Sequence, residues 1–390
     1  MKYYMIAGEA SGDLHGSNLI RELKMQAPGS SFRCWGGDLM RRAGAELVRH
    51  YKDLAFMGFT EVVMNLRTIF RNLDFCKRDI LQFRPDALIL IDYPGFNLRI
   101  AKWAHGKSIR VIFYISPQVW AWKEGRVRQI RENVDKMLVI LPFEKAFYKR
   151  WNVDVEYVGH PLVEEIDRFR ATGPAPLTFS QQSAPGADRP PASGKPIIAL
   201  LPGSRKQEIL KKLPVMLETS RYFPEYQFIV AQAPGQEASF YAGLLQPYPN
   251  VGAVSNQTYS LLSRARAAVV TSGTATLETA LFGVPEIVCY KGSPVSYQIA
   301  RRLIKVKYIS LVNLIMDKLV VKELIQDQLT AENLRRGLDD LLQNDGCQQQ
   351  LREDYRRLKE LLSQGGNASA NAAASIIEFL NSHPRRGAGD

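Results

Sequence analysis

The sequence predicts an α/β protein built from two Rossmann-like, doubly wound domains, and three observations support this fold class. Apolar runs with strand character alternate with segments of helical periodicity in both halves of the chain. The run Ala87–Ile91 is continuously apolar, as is typical of a strand buried on both faces of a parallel sheet. Glycine-containing turns follow the apolar runs that end at Leu201 and at Thr271. In such folds, ligands bind beyond the carboxyl ends of the strands.

Each half of the chain contains several predicted strands. In the first half they are Tyr3–Ala7, Phe32–Trp35, Leu47–Tyr51, Ala87–Ile91, Val111–Ile115 and Met137–Leu141. In the second half they are Ile197–Leu201, Gln227–Ala231, Ala267–Thr271 and Pro285–Tyr290. A helix is expected after the first strand, from about Leu14 to Met25, with Ser11 or Asp13 as its cap.

This pattern divides the chain into domains. We assign residues 1–170 to an N-terminal α/β domain. Residues 171–196 are rich in Pro, Ala, Ser and Gly and predict a flexible connector. Residues 197–325 form a second, C-terminal α/β domain. Residues 326–382 are predicted helices, and residues 383–390 form a frayed tail.

Composition narrows the class of protein. The 390 residues include four scattered cysteines and no apolar run near the ~20 residues that span a bilayer, which indicates a cytoplasmic protein. The net charge of +12 indicates a polyanionic partner. A nucleic acid, an anionic membrane face and a phosphorylated substrate all fit that charge, although no basic-aromatic nucleic-acid module is visible. Because no His/Cys cluster or paired acidic motif is present, no metal and no cofactor is expected.

Two turns in the second half have the composition of phosphate sites. Small residues let the backbone approach a ligand, and the first N–H groups of the following helix point toward it. In the first turn Arg205 adds a forked cation, and in the second Glu278 is placed to accept from ribose hydroxyls. Two ordinary βα turns are an equally good explanation on spacing alone, and neither motif is a P-loop. Two phosphate-binding turns and a ribose-binding carboxylate together suggest a site for a nucleotide-diphosphate donor. The candidate residues of this donor site are Gly203, Ser204, Arg205, Ser272, Gly273, Thr274, Ala275, Thr276 and Glu278.

Asp92 is the candidate base of the first half. It ends the apolar run Ala87–Ile91, and burial at the carboxyl end of a strand would raise its pKa toward general-base duty. A helix N-cap is the alternative role. Glu9 and Asp13 are further candidates for substrate contact, with helix capping as their alternative. His160 is a third candidate, although a lone histidine is more often structural.

The segment Phe59–Leu81 predicts an amphipathic helix with more apolar surface than one core contact needs. Arg67, Arg71 and Arg78 cluster on another face, so the helix would suit a bilayer interface; a core helix with a solvated back is the alternative. The basic segment Ile299–Lys307 could add lipid contact, or could be a solvated helix face. The candidate membrane- and acyl-binding residues are Val62, Val63, Leu66, Ile69, Phe70 and Leu73.

Several motifs together resemble the lipid-A-disaccharide synthase family, a glycosyltransferase family with the GT-B architecture of two α/β domains and a cleft between them. They are Gly8-Glu-Ala-Ser-Gly-Asp13, Ile91-Asp-Tyr-Pro-Gly-Phe-Asn97, Ser116-Pro-Gln-Val-Trp-Ala-Trp122, Leu141-Pro-Phe-Glu-Lys-Ala-Phe-Tyr148, Val158-Gly-His-Pro161, Leu201-Pro-Gly-Ser-Arg205, Ser272-Gly-Thr-Ala-Thr-Leu-Glu278 and Ser310-Leu-Val-Asn313. The resemblance runs from Met1 into the C-terminal helices. The connector at 171–196 departs from the family pattern, and Gly95 stands where relatives often have an acid. That departure leaves Asp92 as the candidate base.

The resemblance implies a reaction. An inverting glycosyltransferase would join UDP-2,3-diacylglucosamine to 2,3-diacylglucosamine 1-phosphate (lipid X) and release UDP and a β-1,6-linked tetraacyl disaccharide 1-phosphate, a committed step of lipid A biosynthesis. It implies that Asp92 is the base, that Asn313 lies near the donor, and that the enzyme docks on the anionic inner face of the inner membrane. The resemblance also implies that residues 1–170 face the acceptor and the membrane and that residues 197–325 bind the donor. The helices of residues 326–382 would either pack across the domains or be exchanged in a homodimer. The acceptor cleft would include Gly8, Glu9, Ser11, Asp13, Ser116 and Trp120.

Other functions remain open at this point. Another GT-B enzyme with a UDP-GlcNAc-type donor, such as an epimerase or a lipid-linked glycosyltransferase, would share the donor motifs. It should lack the Phe59–Leu81 helix and the Gly8–Asp13 loop as they stand. A non-catalytic UDP-sugar-binding protein at the membrane surface would bind UDP without turnover, and Asp92 would be dispensable.

Overall fold

The structure, a computed structural model, describes residues 1–54, 66–122, 124–179, 194–233, 236–293 and 306–383. The chain forms two compact units. The first unit contains Met1–Pro161 and Leu362–Asp390, and the second contains Leu162–Leu361. The chain therefore leaves the first unit once and returns to it near its end.

The first unit is built on a seven-stranded sheet in the order β3-β2-β1-β4-β5-β6-β7, in which every pair of neighbouring strands is parallel. The strands are β1 Lys2–Ala7, β2 Ser31–Gly36, β3 Glu46–His50, β4 Ala87–Ile91, β5 Val111–Tyr114, β6 Lys136–Val139 and β7 Glu156–Tyr157. Its helices are α1 Ala10–Gln26, α2 Asp38–Arg42, α3 Leu66–Phe83, α4 Pro94–His105, α5 Val119–Trp122, α6 Val127–Asn133 and α7 Glu144–Lys149. All five residues of β4 are buried, because helices cover both faces of the sheet.

The second unit carries a six-stranded parallel sheet in the order β10-β9-β8-β11-β12-β13. The strands are β8 Ile197–Leu201, β9 Gln227–Gln232, β10 Val251–Ser255, β11 Ala265–Thr271, β12 Glu286–Tyr290 and β13 Lys322–Ile325. The helix α8 Pro161–Thr172 leads into this unit, and the following helices are α9 Lys206–Thr219, α10 Ala238–Leu245, α11 Thr258–Leu262, α12 Thr274–Phe282, α13 Leu311–Met316, α14 Ala331–Gln343 and α15 Asp345–Ser363. The predicted fold class is confirmed by these two sheets.

The last helix, α16 Ala368–Ser382, packs against α1 in the first unit. Its inward face consists of Ala372, Ala373, Ile376 and Leu380, all of them buried. The units separate at Pro161 rather than at the predicted residue 170. The C-terminal helices, for which packing across the domains was one of two predictions, are divided between the units: α14 and most of α15 belong to the second unit, and α16 belongs to the first.

The predicted connector 171–196 is more ordered at its start than its composition indicates. The helix α8 continues to Thr172, and Phe179 forms an antiparallel bridge with Val254 at the edge of the second sheet. Leu177 and Phe179 pack against the core of that unit, and Gly252 leaves room for the Phe179 ring. The apolar side chains in a polar segment explain this docking. Residues 180–193 lie outside the described residues.

Candidate active site

Both sheets have a topological switch point, where neighbouring strands are continued by helices on opposite faces. In the first sheet β1 and β4 are neighbours, so the turn after Ala7 and the turn after Ile91 meet at one edge. In the second sheet β8 and β11 are neighbours, which brings together the turns after Leu201 and Thr271. Ligands of open α/β sheets bind at such points. The candidate residues therefore lie where the fold places ligands.

Asp92 follows β4 directly and has an uncommon backbone conformation. Its φ is +43° and that of Tyr93 is +51°, in the left-handed region that residues other than glycine seldom occupy. Two contacts hold this turn: the Asp92 N–H donates to the carbonyl of Ile115 at 3.2 Å, and the Asn97 side-chain amide donates to the carbonyl of Asp92 at 2.7 Å. The fold thus fixes the direction of the Asp92 carboxyl.

Burial and, to a smaller extent, the nearby carboxylate of Glu9 raise the pKa of Asp92 to about 7, while a hydrogen bond from the Tyr93 backbone opposes the shift. Glu9 is the N-cap residue of α1. A carboxyl with a pKa close to the working pH is suited to remove a proton from a hydroxyl. The fold thus places a carboxyl with this property at the first switch point.

Gly8 is required by a close contact that the sequence analysis missed. A Cβ atom at Gly8 would lie 2.3 Å from the Cγ atom of Tyr93, because the tyrosine ring covers the glycine backbone. Tyr93 also stacks on Phe96, with ring centroids 5.7 Å apart. The glycine and the positive φ of Tyr93 together place this ring beside Asp92.

Ser11 or Asp13 was predicted to cap the first helix, and neither residue has that role. The helix α1 begins at Ala10, so neither residue caps it, and Ser11 is exposed in its first turn. Asp13 is buried, and its carboxylate accepts hydrogen bonds from the backbone N–H groups of Gly37, Leu39 and Met40 at 2.8–3.1 Å. Asp13 therefore caps α2 and does not face an open acceptor site.

We expect Asp13→Ala to destabilise the first unit by about 1–3 kcal/mol, since it leaves buried N–H groups of α2 without an acceptor. Chemical denaturation measures the loss. Asp38→Ala is the matched control, because Asp38 is half-exposed and its carboxylate pairs with Arg41 and His50 rather than with backbone N–H groups of α2. An unchanged midpoint together with a raised KM for the acceptor would contradict the capping role.

Ser116 and Trp120, predicted in the acceptor cleft, are both buried. The Ser116 hydroxyl lies 2.6 Å from the Tyr148 hydroxyl, and the Trp120 ring meets Phe143 edge-on at 4.9 Å. Both side chains also lie against the carboxyl of Glu144, which the sequence analysis passed over. Both side chains therefore point from the loop after β5 into the interior. There they provide the polar neighbours that the buried carboxyl of Glu144 needs.

His160 is buried beside His15. Burial and, to a smaller extent, His15 lower the pKa of His160 to about 3, and burial lowers the pKa of His15 to about 4. Both imidazoles are therefore neutral near pH 7. Asp92 is half-buried rather than enclosed, so it is the better placed of the candidate bases for contact with a substrate.

The first donor turn has the predicted character. Gly203 has φ +106°, and a Cβ atom there would lie 2.9 Å from a carboxylate oxygen of Glu208. Ser204 and Arg205 are exposed, and the Arg205 guanidinium lies 3.6 Å from Glu208. Lys212, which the sequence analysis missed, is buried below this turn, 3.9 Å from Glu208, and burial lowers its pKa. The turn thus combines two cations with one carboxylate.

The second donor turn presents Gly273 and Thr274 to solvent at the start of α12. The side chains of its other small residues bind the protein itself: the Ser272 hydroxyl donates to the carbonyl of Ile309, and the Thr276 hydroxyl donates to that of Gly273, both at 2.8 Å. Ala275 packs against the core of the unit. At this turn Gly273 and Thr274 are therefore the residues most open to a phosphate.

Glu278 accepts a hydrogen bond from the Tyr259 hydroxyl at 3.0 Å. Burial raises the pKa of Glu278; the bond from Tyr259 opposes that shift and the charge of Glu165 adds to it. Asn313 is buried, and its side-chain amide donates to Val321 and Glu323 and accepts from the N–H groups of Val320 and Val321. The hydrogen-bonding capacity of the Asn313 side chain is therefore used within the protein, and its role is to shape the α13 turn.

The helix α3 divides the predicted membrane residues. Leu73 is buried in the core, while Phe70 is 58% exposed and Ile69 is intermediate. The exposed side of α3 consists of Arg67, Phe70, Arg71, Asp74, Arg78 and Leu81. Leu73 therefore faces inward, while Phe70 faces outward among arginines. Val62, Val63, the side chain of Leu66 and most of Ile299–Lys307 lie outside the described residues.

The described residues contain neither a membrane-spanning helix nor a metal-binding cluster. No helix in the described part of the chain is both long and apolar enough to cross a membrane. Within those same ranges, no three His, Cys, Asp or Glu side chains are grouped so that they could hold a metal ion.

Comparison with known proteins decides the family. A family model described as lipid-A-disaccharide synthetase matches residues 3–377. The chain belongs to the lipid-A-disaccharide synthase family. The lipid-A-disaccharide synthase of Geobacter sulfurreducens is 38% identical over 381 residues, which are 96% of each chain. The predicted resemblance is confirmed, and the protein is an enzyme of a glycosyltransferase family.

Solved structures support the fold. The UDP-GlcNAc 2-epimerase from Neisseria meningitidis, bound to UDP-GlcNAc, superposes with a TM-score of 0.61 at 14% identity over 98% of this chain and 100% of that one. The calicheamicin glycosyltransferase superposes with a TM-score of 0.60 at 17% identity, over 100% of this chain and 99% of that one. These similarities show the GT-B fold of the family.

Proposed function

We propose that this enzyme condenses UDP-2,3-diacylglucosamine with 2,3-diacylglucosamine 1-phosphate, giving the β-1,6-linked tetraacyl disaccharide 1-phosphate and UDP. The observation that carries the proposed mechanism is Asp92, a half-buried carboxyl with a pKa of about 7 at the first switch point. A hydroxyl nucleophile needs such a base, and a direct displacement inverts the anomeric centre. Family membership supplies the identity of the two sugars.

In this mechanism the oxygen of the acceptor 6-hydroxyl attacks the anomeric carbon of the donor sugar, and Asp92 takes the proton of that hydroxyl. The bond from that carbon to the UDP oxygen breaks, and the negative charge passes to the diphosphate. Arg205, exposed beside Gly203, would stabilise that charge together with the N–H groups at the start of α12. Glu278 would accept from the ribose hydroxyls. No metal ion is required for these steps.

The acyl chains of both substrates lie in a bilayer, so the enzyme would work at its surface. The exposed side of α3 carries three arginines, Phe70 and Leu81, and the whole chain has a net charge of +12. Arginines attract anionic headgroups, and the two apolar side chains could enter the interface. We therefore place the enzyme on the cytoplasmic face of the inner membrane. Dimerisation through the C-terminal helices stays a prediction.

The reaction is tested with purified enzyme, UDP-2,3-diacylglucosamine and lipid X in mixed micelles, with and without EDTA. We follow UDP release and identify the lipid product by mass spectrometry. The proposal expects one disaccharide per UDP, with the same rate in EDTA. Incubation with UDP-GlcNAc alone tests the epimerase alternative. UDP binding without any disaccharide, or conversion of UDP-GlcNAc to its epimer, would refute the proposed function.

A further inference from the structure

Glu144 is an unusually buried carboxyl near the first switch point. Its side chain is part of a residue only 1% exposed, at the first position of α7. One carboxyl oxygen accepts from the backbone N–H of Leu141 at 2.9 Å. Burial raises the pKa of Glu144 to about 7, against the opposing effects of backbone N–H groups and the Ser116 and Trp120 side chains. A hydrogen bond that only capped the start of α7 would not require the Glu144 side chain to be buried.

The groups around Glu144 come from the loop after β5, from α7 and from β7. Ser116 joins the carboxyl to the Tyr148 hydroxyl, which is 2.6 Å from the serine oxygen. Tyr157 faces the same carboxyl from β7, and the charge of Glu144 helps to raise the pKa of both tyrosines. Trp120 closes the cluster, edge-on to Phe143. The carboxyl thus ties the loop 115–120 to the element that follows β6.

The same loop holds Asp92. The carbonyl of Ile115, one residue before Ser116, accepts the Asp92 N–H at 3.2 Å. Ile115 has φ +68°, so it shares the left-handed conformation of Asp92 and Tyr93. Such backbone conformations persist only where surrounding contacts enforce them. On the β5 side of the turn, the Ile115 N–H donates to the carbonyl of Leu138 at 3.0 Å, and the next residue, Ser116, belongs to the Glu144 cluster.

We propose that Glu144 is a positioning residue for the glycosyl transfer, acting through the Ser116 loop to fix the Asp92 turn. This inference rests on the proposed function, because it assumes that Asp92 is the base. Glu144 touches neither reacting atom in this account. Its replacement should therefore change kcat and the protonation of Asp92 while leaving the binding of UDP unchanged.

Glu144→Leu and Glu144→Gln test the inference in the full-length enzyme. Glu144→Leu should lower kcat about 10²-fold, since small displacements of a catalytic group have effects of that size. It should also move the acid limb of kcat/KM to lower pH, because a loosened loop admits water to Asp92. Glu144→Gln should stay within about threefold of wild type, since its amide oxygen can still accept from Leu141. Tyr148→Phe should lower kcat about threefold to tenfold in a folded protein.

Glu286→Leu is the matched control, because Glu286 is fully buried in the second unit and burial raises its pKa as well. It should leave the acid limb in place, because Glu286 belongs to the other unit. Unchanged kcat and pH dependence in both Glu144→Leu and Tyr148→Phe, beside an inactive Asp92→Asn, would contradict this inference alone. An inactive Glu144→Gln would also contradict it, since the carboxyl would then take part in proton transfer. Full activity of Asp92→Asn would refute the proposed base and the inference with it.

Discussion

Replacing Asp92 by Asn is expected to lower kcat for disaccharide formation about 10³-fold, within the range that general-base catalysis contributes. The amide has nearly the shape of the carboxyl, so the turn held by Ile115 and Asn97 should persist. It cannot accept the proton of the acceptor hydroxyl. UDP affinity should not change, because the donor turns belong to the other unit. Product formation and calorimetric titration with UDP measure the two quantities.

Asp74→Asn provides the control for the loss of one negative charge. Asp74 lies on the exposed side of α3, and its carboxylate is 72% exposed and 3.7 Å from Lys77. This variant should keep wild-type kcat. If Asp92→Asn also kept it, the base would have to be sought among Glu9 and the other polar groups at the first switch point.

Replacing Arg205 by Ala should lower kcat and kcat/KM by about 10²–10³-fold, because the guanidinium would stabilise charge that appears on UDP only as the bond breaks. Arg205 is exposed at the turn with its guanidinium 3.6 Å from Glu208, and a forked cation of this kind binds two phosphate oxygens in parallel. Arg205→Lys should recover only part of the rate, since an ammonium group cannot bind two oxygens in parallel. Steady-state kinetics in mixed micelles gives both constants.

Arg221→Ala is the matched control within the same unit. Arg221 is similarly exposed and pairs with Glu218 at 3.5 Å, three residues away, as Arg205 pairs with Glu208. The control should leave both kinetic constants unchanged. A rise in KM for the donor at constant kcat in Arg205→Ala would assign Arg205 to ground-state binding and contradict its role in leaving-group stabilisation.

Much of the fold could be predicted because parallel strands buried on both faces leave continuous apolar runs, as in β4 and β8. The strands that were missed lack such runs. The sequence of β10 is Val-Gly-Ala-Val-Ser, and β13 begins with Lys322 and Glu323 at the edge of its sheet. The position of α16 could not be predicted either, since its contact with α1 joins segments that are far apart in the chain.

The site shows the same limit. Asp92, Gly203 and Arg205 could be proposed from the sequence because strand ends and glycine turns have local signals. The roles of Asp13 and Asn313 depend on partners that only the tertiary structure provides: backbone groups of α2 for the first, and the turn before β13 for the second. Glu144 gave no local signal beyond its motif, because an acid at the start of a helix is ordinary.

The most direct test of the account is the pH dependence of kcat/KM, measured side by side for wild type and Glu9→Gln. With Asp92 as base, kcat/KM should rise about tenfold per pH unit and level off near pH 7, where the carboxyl loses its proton. Because the Glu9 carboxylate raises the pKa of Asp92, its removal should move this limb to lower pH. The phosphate of lipid X also titrates, but a limb caused by that phosphate would stay at the same pH in wild type and in Glu9→Gln. A limb that Glu9→Gln leaves unmoved would contradict Asp92 as the titrating base.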